Sequence, residues 1–100
     1  MVEMTREQVN QIHEEIREKE QLVRDLTQKL SSSVSSVGDW KVAKCMEYQA
    51  MGLEMPYDLA SLHAARQDVR DEINTLQVEI ASLKEQIKDV KIVAAVVAEE

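Results

Sequence analysis

Residues that could support catalysis or metal binding are few in this chain, and their spacing does not combine them into a site. Cys45 is the only cysteine and has no histidine close to it in sequence, so we expect a small buried side chain rather than a nucleophile. Helical metal sites use Glu-x-x-His or His-x-x-x-His spacing, and neither His13 nor His63 has such a partner. The isolated glycines form no phosphate-binding loop. We therefore predict that the chain is not an enzyme and binds no metal, cofactor or small-molecule substrate.

The elements that carry these residues are predicted from an apolar rhythm that occurs twice in the sequence. Its steps of three and four residues place the side chains on one narrow stripe of a helix, which is typical of a coiled-coil seam. The first copy is Val9, Ile12, Ile16, Lys19, Val23, Leu26 and Leu30, and the second is Leu59, Leu62, Arg66, Val69, Ile73, Leu76, Ile80, Leu83, Ile87 and Val90. The pattern predicts an all-α fold, an antiparallel coiled-coil helical hairpin with a short helix or turn segment at its tip.

The start of the first helix is predicted from a capping box. Thr5 is followed three residues later by Gln8, and such a pair satisfies backbone N–H groups that have no partner within the helix. We expect this helix over about 5–37. The serine-rich residues 31–36 compete with the helix for backbone hydrogen bonds, which leaves open whether the helix breaks there or continues.

The rest of the chain is predicted as a joining segment of about 38–57 and a second long helix of about 58–97, within a single domain of 1–100. The joining segment should contain a helical stretch that ends near Gly52, because glycine suits the left-handed cap of a helix. Pro56 favours a turn after it, and Asp58 is the expected N-cap of the last helix.

An antiparallel register centred on this turn makes two specific side-chain predictions. It places Glu20 beside Lys84 and Lys29 beside Glu79 on the flanks of the seam. As the second prediction, it places Trp40 opposite Arg66. A guanidinium over an indole ring is a cation–π contact of about 0.5–2 kcal/mol. We therefore expect Trp40 to be substantially buried against Arg66.

Composition restricts the classes of partner. The formal net charge of −7 argues against binding to nucleic acid, which needs clustered Lys and Arg, and against binding to an anionic membrane. One cysteine forms no internal disulfide, the first residues lack an apolar signal-peptide core, and the longest apolar run, residues 92–98, is too short to span a bilayer. These features predict a cytoplasmic protein.

The joining segment and the C-terminal apolar run are the candidate interaction sites. The joining segment contains large side chains of the kind enriched at protein–protein contacts. The alternative, which the sequence favours, is that these side chains pack on each other as a compact corner where the hairpin turns. A narrow seam buries little surface, so a homo-oligomer or a complex with another protein is expected. The candidate residues are Trp40, Met46, Tyr48, Met51, Leu53, Met55, Tyr57, Ile92, Val93 and Val96.

Residues 36–74 carry a resemblance to known sequences. The pattern Gly-Asp-Trp-Lys-Val-Ala-Lys-Cys-Met-Glu-Tyr from Gly38, followed by Pro-Tyr-Asp-Leu from Pro56 and Arg-Gln-Asp-Val-Arg-Asp-Glu-Ile-Asn from Arg66, resembles one found in small helical proteins of bacteriophages and prophages. The resemblance implies a genomic origin, with a location in the virion or the host cytoplasm, rather than an activity.

Two classes of function are compatible with these observations. One is a structural or assembly protein that acts through self-association and through its aromatic and methionine-rich tip. The alternative is a small acidic inhibitor of a host protein, such as a host-defence protein or a nucleic-acid-binding protein whose basic groove the charge of −7 would fill.

Overall fold

A computed structural model describes residues 2–93 of the chain. The described residues are mostly helical, as predicted, with a small two-stranded sheet that the all-α prediction did not include. The elements in chain order are β1 (Val2–Thr5), α1 (Arg6–Ser31), α2 (Asp39–Ala50), α3 (Leu59–Gln86) and β2 (Val90–Val93).

The first long helix is shorter than the predicted range of 5–37, because α1 ends at Ser31. In the following loop, Ser32 Oγ accepts a hydrogen bond from the N–H of Val34 at 3.1 Å, and Ser35 Oγ accepts one from the N–H of Val37 at 3.2 Å. Short side-chain bonds of this kind compete with helical backbone bonds. The serine-rich stretch is therefore a break between α1 and α2.

The last helix is also shorter than the predicted range of 58–97, because α3 ends at Gln86 and a turn follows it. The chain then enters β2, which pairs with β1 in parallel, from Val2 with Val90 to Thr5 with Val93. β-Branched side chains are common in β2, and they favour a strand over a helix end. Residues 94–97 of the predicted helix lie outside the described part of the chain.

Both predicted N-terminal helix caps are confirmed. At the start of α1, the Thr5 N–H donates to Gln8 Oε1 at 2.9 Å, and the Gln8 N–H donates to Thr5 Oγ1 at 3.2 Å. At the start of α3, Asp58 Oδ1 accepts from the Ala60 N–H at 3.1 Å, and Asp58 Oδ2 accepts from the Ser61 hydroxyl at 2.9 Å. The hydrogen bonds from Ser61, the hydroxyl above all, lower the pKa of the Asp58 carboxyl group.

The described chain divides into two compact units, one of residues 2–22 and 76–93 and one of Val23–Thr75. In the first unit, Lys19 Nζ lies 2.9 Å from Glu79 Oε1, and Lys84 Nζ lies 3.3 Å from Glu20 Oε2. The pairing of Glu20 with Lys84 is thus confirmed. The predicted pairing of Lys29 with Glu79 is wrong, because the lysine that binds Glu79 is Lys19. The hydrogen bond to Glu79 raises the pKa of Lys19.

The predicted seam is the buried face of each helix. Every seam position except Leu59 is buried or half-buried, whereas Leu22 and Val78, which lie off the seam, are exposed. The buried apolar seam residues of the first unit are Val9, Ile16, Leu76, Ile80 and Leu83, and those of the second unit are Leu26 and Leu62. No helix within residues 2–93 combines the length and the apolar content needed to cross a membrane.

Candidate functional site

The candidate site lies in the second unit, where one buried arginine connects three segments. Arg66 of α3 is 8% exposed. Its Nη1 donates to the carbonyl of Val37 at 2.7 Å and to the carbonyl of Leu30 at 3.3 Å, and its Nη2 donates to Asp39 Oδ1 at 2.6 Å. Arg66 therefore holds together the end of α1, the serine-rich loop and the start of α2.

The predicted cation–π contact between Trp40 and Arg66 is wrong. Trp40 is only half-buried, and its Nε1 donates to the Ser35 carbonyl at 2.7 Å. The cation over its ring is Lys41, whose Nζ lies 5.7 Å from the ring centroid. The guanidinium of Arg66 instead binds backbone carbonyls, because the break after α1 brings unpaired carbonyl groups within its reach.

Gly38 allows the loop to approach the end of α1 closely. The glycine is buried at the N-cap of α2, and a Cβ atom at this position would lie 2.1 Å from the Ser32 carbonyl oxygen. A side chain at this position would have to move the backbone of Ser32, and no flexible side chain could move aside instead. Glycine at position 38 is therefore a packing requirement of the loop.

The three aromatic side chains of the joining segment form one cluster with two lysines. Trp40 and Tyr57 meet edge to face, with ring centroids 5.9 Å apart. Lys41 Nζ lies 4.6 Å from the centroid of Tyr57, and Lys44 Nζ lies 5.9 Å from that of Tyr48. Such contacts contribute about 0.5–1 kcal/mol each at exposed sites. The cluster, all of it half-buried, supports the compact-corner interpretation for these aromatics.

The turn after α2 exposes apolar side chains instead. Gly52 has a φ of 73°, the N–H of Leu53 donates to the Tyr48 carbonyl at 2.9 Å, and the N–H of Gly52 donates to the Gln49 carbonyl at 3.1 Å. These bonds make the Schellman motif that ends α2, as the glycine predicted.

Large apolar side chains are exposed at this turn and in the part of α2 that precedes it. Met46, Met51 and Leu53 are 63%, 71% and 55% exposed, while Met55 is half-buried. Glu54, between Leu53 and Met55, is exposed and has no hydrogen-bond or ion-pair partner within residues 2–93. We call residues 51–55 the tip.

The predicted site residues thus separate into groups. Trp40, Tyr48 and Tyr57 belong to the aromatic and lysine cluster. Met51, Leu53 and Met55 belong to the tip, and Met46 lies before it in α2. Ile92, which is 47% exposed, and Val93, which is half-buried, belong to β2 in the first unit. Val96 lies outside the described residues.

Sequence reasoning missed a groove between α2 and α3. The groove has a volume of about 560 Å³, and Val42 of α2 faces Leu59, Leu62, Arg66 and Arg70 of α3 across it. Its α3 wall could have been found from the sequence, because residues 59, 62, 66 and 70 repeat at steps of three and four and lie on one helix face. Arg66 was instead considered as a seam residue that contacts Trp40, and Arg70 only as part of the pattern that begins at Arg66.

The residues that could do chemistry remain apart in the structure. Cys45 is fully buried in α2, and both histidines are exposed. Among residues 2–93, no group of three or more His, Cys, Asp or Glu side chains is arranged to hold a metal ion. Comparisons with protein-family models, with curated proteins and with solved structures find no match for this chain.

Proposed function

We propose that this chain is a non-enzymatic interaction protein that assembles with copies of itself through the tip. The observation that carries the proposal is the exposure of Met46, Met51 and Leu53 around one turn. Single exposed apolar residues are ordinary, but a group of large flexible ones is typical of a protein-binding surface. The aromatic side chains, which are packed with lysines, contribute less to this surface than the methionines do.

We further infer that α1 and α3 form an antiparallel coiled-coil hairpin. The inference is supported by the burial of the seam in both helices and by the ion pairs of Lys19 with Glu79 and of Glu20 with Lys84. The bond from Arg66 to the Leu30 carbonyl also joins the two helices. Because a two-helix seam buries little surface, association of two copies would add the burial that one hairpin lacks.

The resemblance to bacteriophage and prophage proteins fits an assembly role in the virion or in the host cytoplasm. An assembly protein has to present a surface that another chain can recognise, and this role needs no catalytic group. The proposal therefore accounts for the exposed tip without requiring a reaction of Cys45 or of either histidine.

The mass of the full chain in solution tests the proposal. Sedimentation over a wide range of protein concentrations should detect an oligomer, and Met51→Ala should lower the oligomer fraction while helical circular dichroism stays unchanged. Val34→Ala is the matched control, because Val34 is an exposed apolar residue of the same unit outside the tip. A chain that stays monomeric at every concentration contradicts self-association and favours the acidic-inhibitor alternative. An oligomer that Met51→Ala and Val34→Ala leave equally unaffected places the interface away from the tip.

A further inference from the structure

The groove between α2 and α3 combines an apolar lining with an uncompensated positive charge. Val42, Leu59 and Leu62 supply the apolar surface, and no Asp or Glu side chain lines the groove. Asp39 compensates the charge of Arg66. Arg70, by contrast, donates only to the neutral Gln67 side chain at 3.3 Å and has no ion-pair partner within residues 2–93. The groove therefore suits a segment that carries apolar side chains and a carboxylate.

The tip of this same chain has that composition. Met51 and Leu53 are largely exposed, and the carboxylate of Glu54 beside them has no partner in the described part of the chain. Docking into the groove would remove both apolar side chains from water and would pair Glu54 with a cation. The charges of the two surfaces are thus complementary.

The lengths of the two surfaces also agree. From Leu59 to Arg70 the α3 wall extends about 16 Å, at 1.5 Å per helical residue. The tip, residues 51–55, contains four Cα–Cα steps and spans at most about 14 Å even when fully extended. A docked tip is therefore short enough to lie along the α3 wall.

We propose that the tip of one copy docks into the α2–α3 groove of a second copy, with Glu54 of one chain paired with Arg70 of the other. The inference rests on the proposed self-association through the tip. Each copy carries both a tip and a groove, and the proposal is that two copies exchange their tips reciprocally, with twofold symmetry. A reciprocal exchange closes at two copies, whereas a one-way contact would continue into a ring or a filament.

Charge reversal tests this pairing. Glu54→Arg and Arg70→Glu should each weaken dimerisation about tenfold or more in Kd, because each places like charges at both symmetric contacts. Lys88→Glu is the control for a changed net charge, since Lys88 is exposed and lies in the other unit. It should leave the Kd within about threefold of the wild-type value.

Mixing the two variants gives the decisive result. In a mixture of the Glu54→Arg chain with the Arg70→Glu chain, both contacts of the heterodimer join opposite charges, so a dimer should form although neither variant dimerises well alone. Sedimentation with one fluorescently labelled variant measures the formation of this heterodimer, and circular dichroism confirms that both variants remain helical.

Three outcomes overturn the pairing. Single variants that dimerise as the Lys88→Glu control does refute the groove as the binding site, while the proposed self-association stands. Single variants that are weakened but not restored by mixing refute the contact between Glu54 and Arg70. A wild-type chain that is monomeric refutes the self-association on which the inference depends.

Discussion

Replacement of Arg66 should be the most damaging single change in the second unit. Arg66→Met keeps an unbranched apolar stem of similar length but removes every donor. The carbonyls of Val37 and Leu30 then lose the guanidinium, with which they make hydrogen bonds of 2.7 and 3.3 Å. The loop between α1 and α2 loses the contact that connects it to α3.

The expected loss of unfolding free energy follows from the hydrogen-bond and ion-pair partners of Arg66. A hydrogen bond that involves a charged group contributes about 1.5–3 kcal/mol, and the longer bond to Leu30 lies at the lower end of that range. The ion pair with Asp39 adds about 0–1 kcal/mol, because the Asp39 side chain is 65% exposed and stays hydrated without its partner. We expect Arg66→Met to lower the free energy of unfolding by about 3–5 kcal/mol, while Asp39→Asn costs about 1 kcal/mol or less.

Urea denaturation and thermal melts measure this difference. They are made at one fixed protein concentration, since the proposed self-association would make the midpoint depend on concentration. The expected loss corresponds to a decrease of about 10–25 °C in Tm for a chain of this size. Arg17→Met is the control, because Arg17 is exposed and pairs only with Glu14 of the same helix. If Arg66→Met destabilises the protein no more than Arg17→Met does, the carbonyl contacts do not hold the loop.

Three further predictions concern local geometry. Gly38→Ala should lower the free energy of unfolding by more than about 2 kcal/mol, because its Cβ meets the backbone of Ser32. Gly52→Ala, at positive φ in open space, should cost about 1–2 kcal/mol. The urea midpoints of the two variants compare these costs, and equal costs would contradict the close approach at Gly38. Because the pKa of Asp58 is lowered on folding, its charge stabilises the fold above about pH 4, and this contribution is lost as the pH falls further. Asp58→Asn should therefore be less stable than the wild-type chain at neutral pH and differ little from it in thermal melts at low pH. A difference that does not depend on pH would contradict this. Cys45 is fully buried, so a thiol reagent added in urea should label it no faster than the protein unfolds. Rapid labelling of the native chain without urea would contradict its burial.

The sequence was sufficient to predict features that depend on local spacing. The seam, the capping box at Thr5, the Asp58 cap and the glycine that ends α2 each depend on residues a few positions apart, so their geometry follows from helix periodicity and backbone conformation. The sheet was missed because β1 and β2 are far apart in sequence and each is only four residues long. Apolar runs this short fit a helix end as well as a strand.

Arg66 illustrates why the candidate site was harder to predict than the fold. Its position on the seam was identified correctly, but its partners are backbone carbonyls of the serine-rich loop, and backbone groups leave no trace in the pattern of side chains. The expectation that Arg66 would bind Trp40 assumed that α1 continued to about residue 37. Once the helix ends at Ser31, free carbonyls compete for the guanidinium and form the stronger contacts.

The same break explains why the methionines and Leu53, rather than the aromatics, form the exposed surface. With the loop held by Arg66, Trp40 turns its indole N–H to Ser35 and its ring edge to Tyr57, and Lys41 and Lys44 cover the aromatic rings. The aromatic side chains therefore pack on each other and on the two lysines within the second unit. What remains exposed is the tip, where Gly52 reverses the backbone and Met51 and Leu53 lie largely in water. The neighbouring Glu54 carboxylate has no partner within residues 2–93. In the proposed dimer, a second copy would supply the apolar groove and an Arg70 side chain that has no ion-pair partner among the same residues.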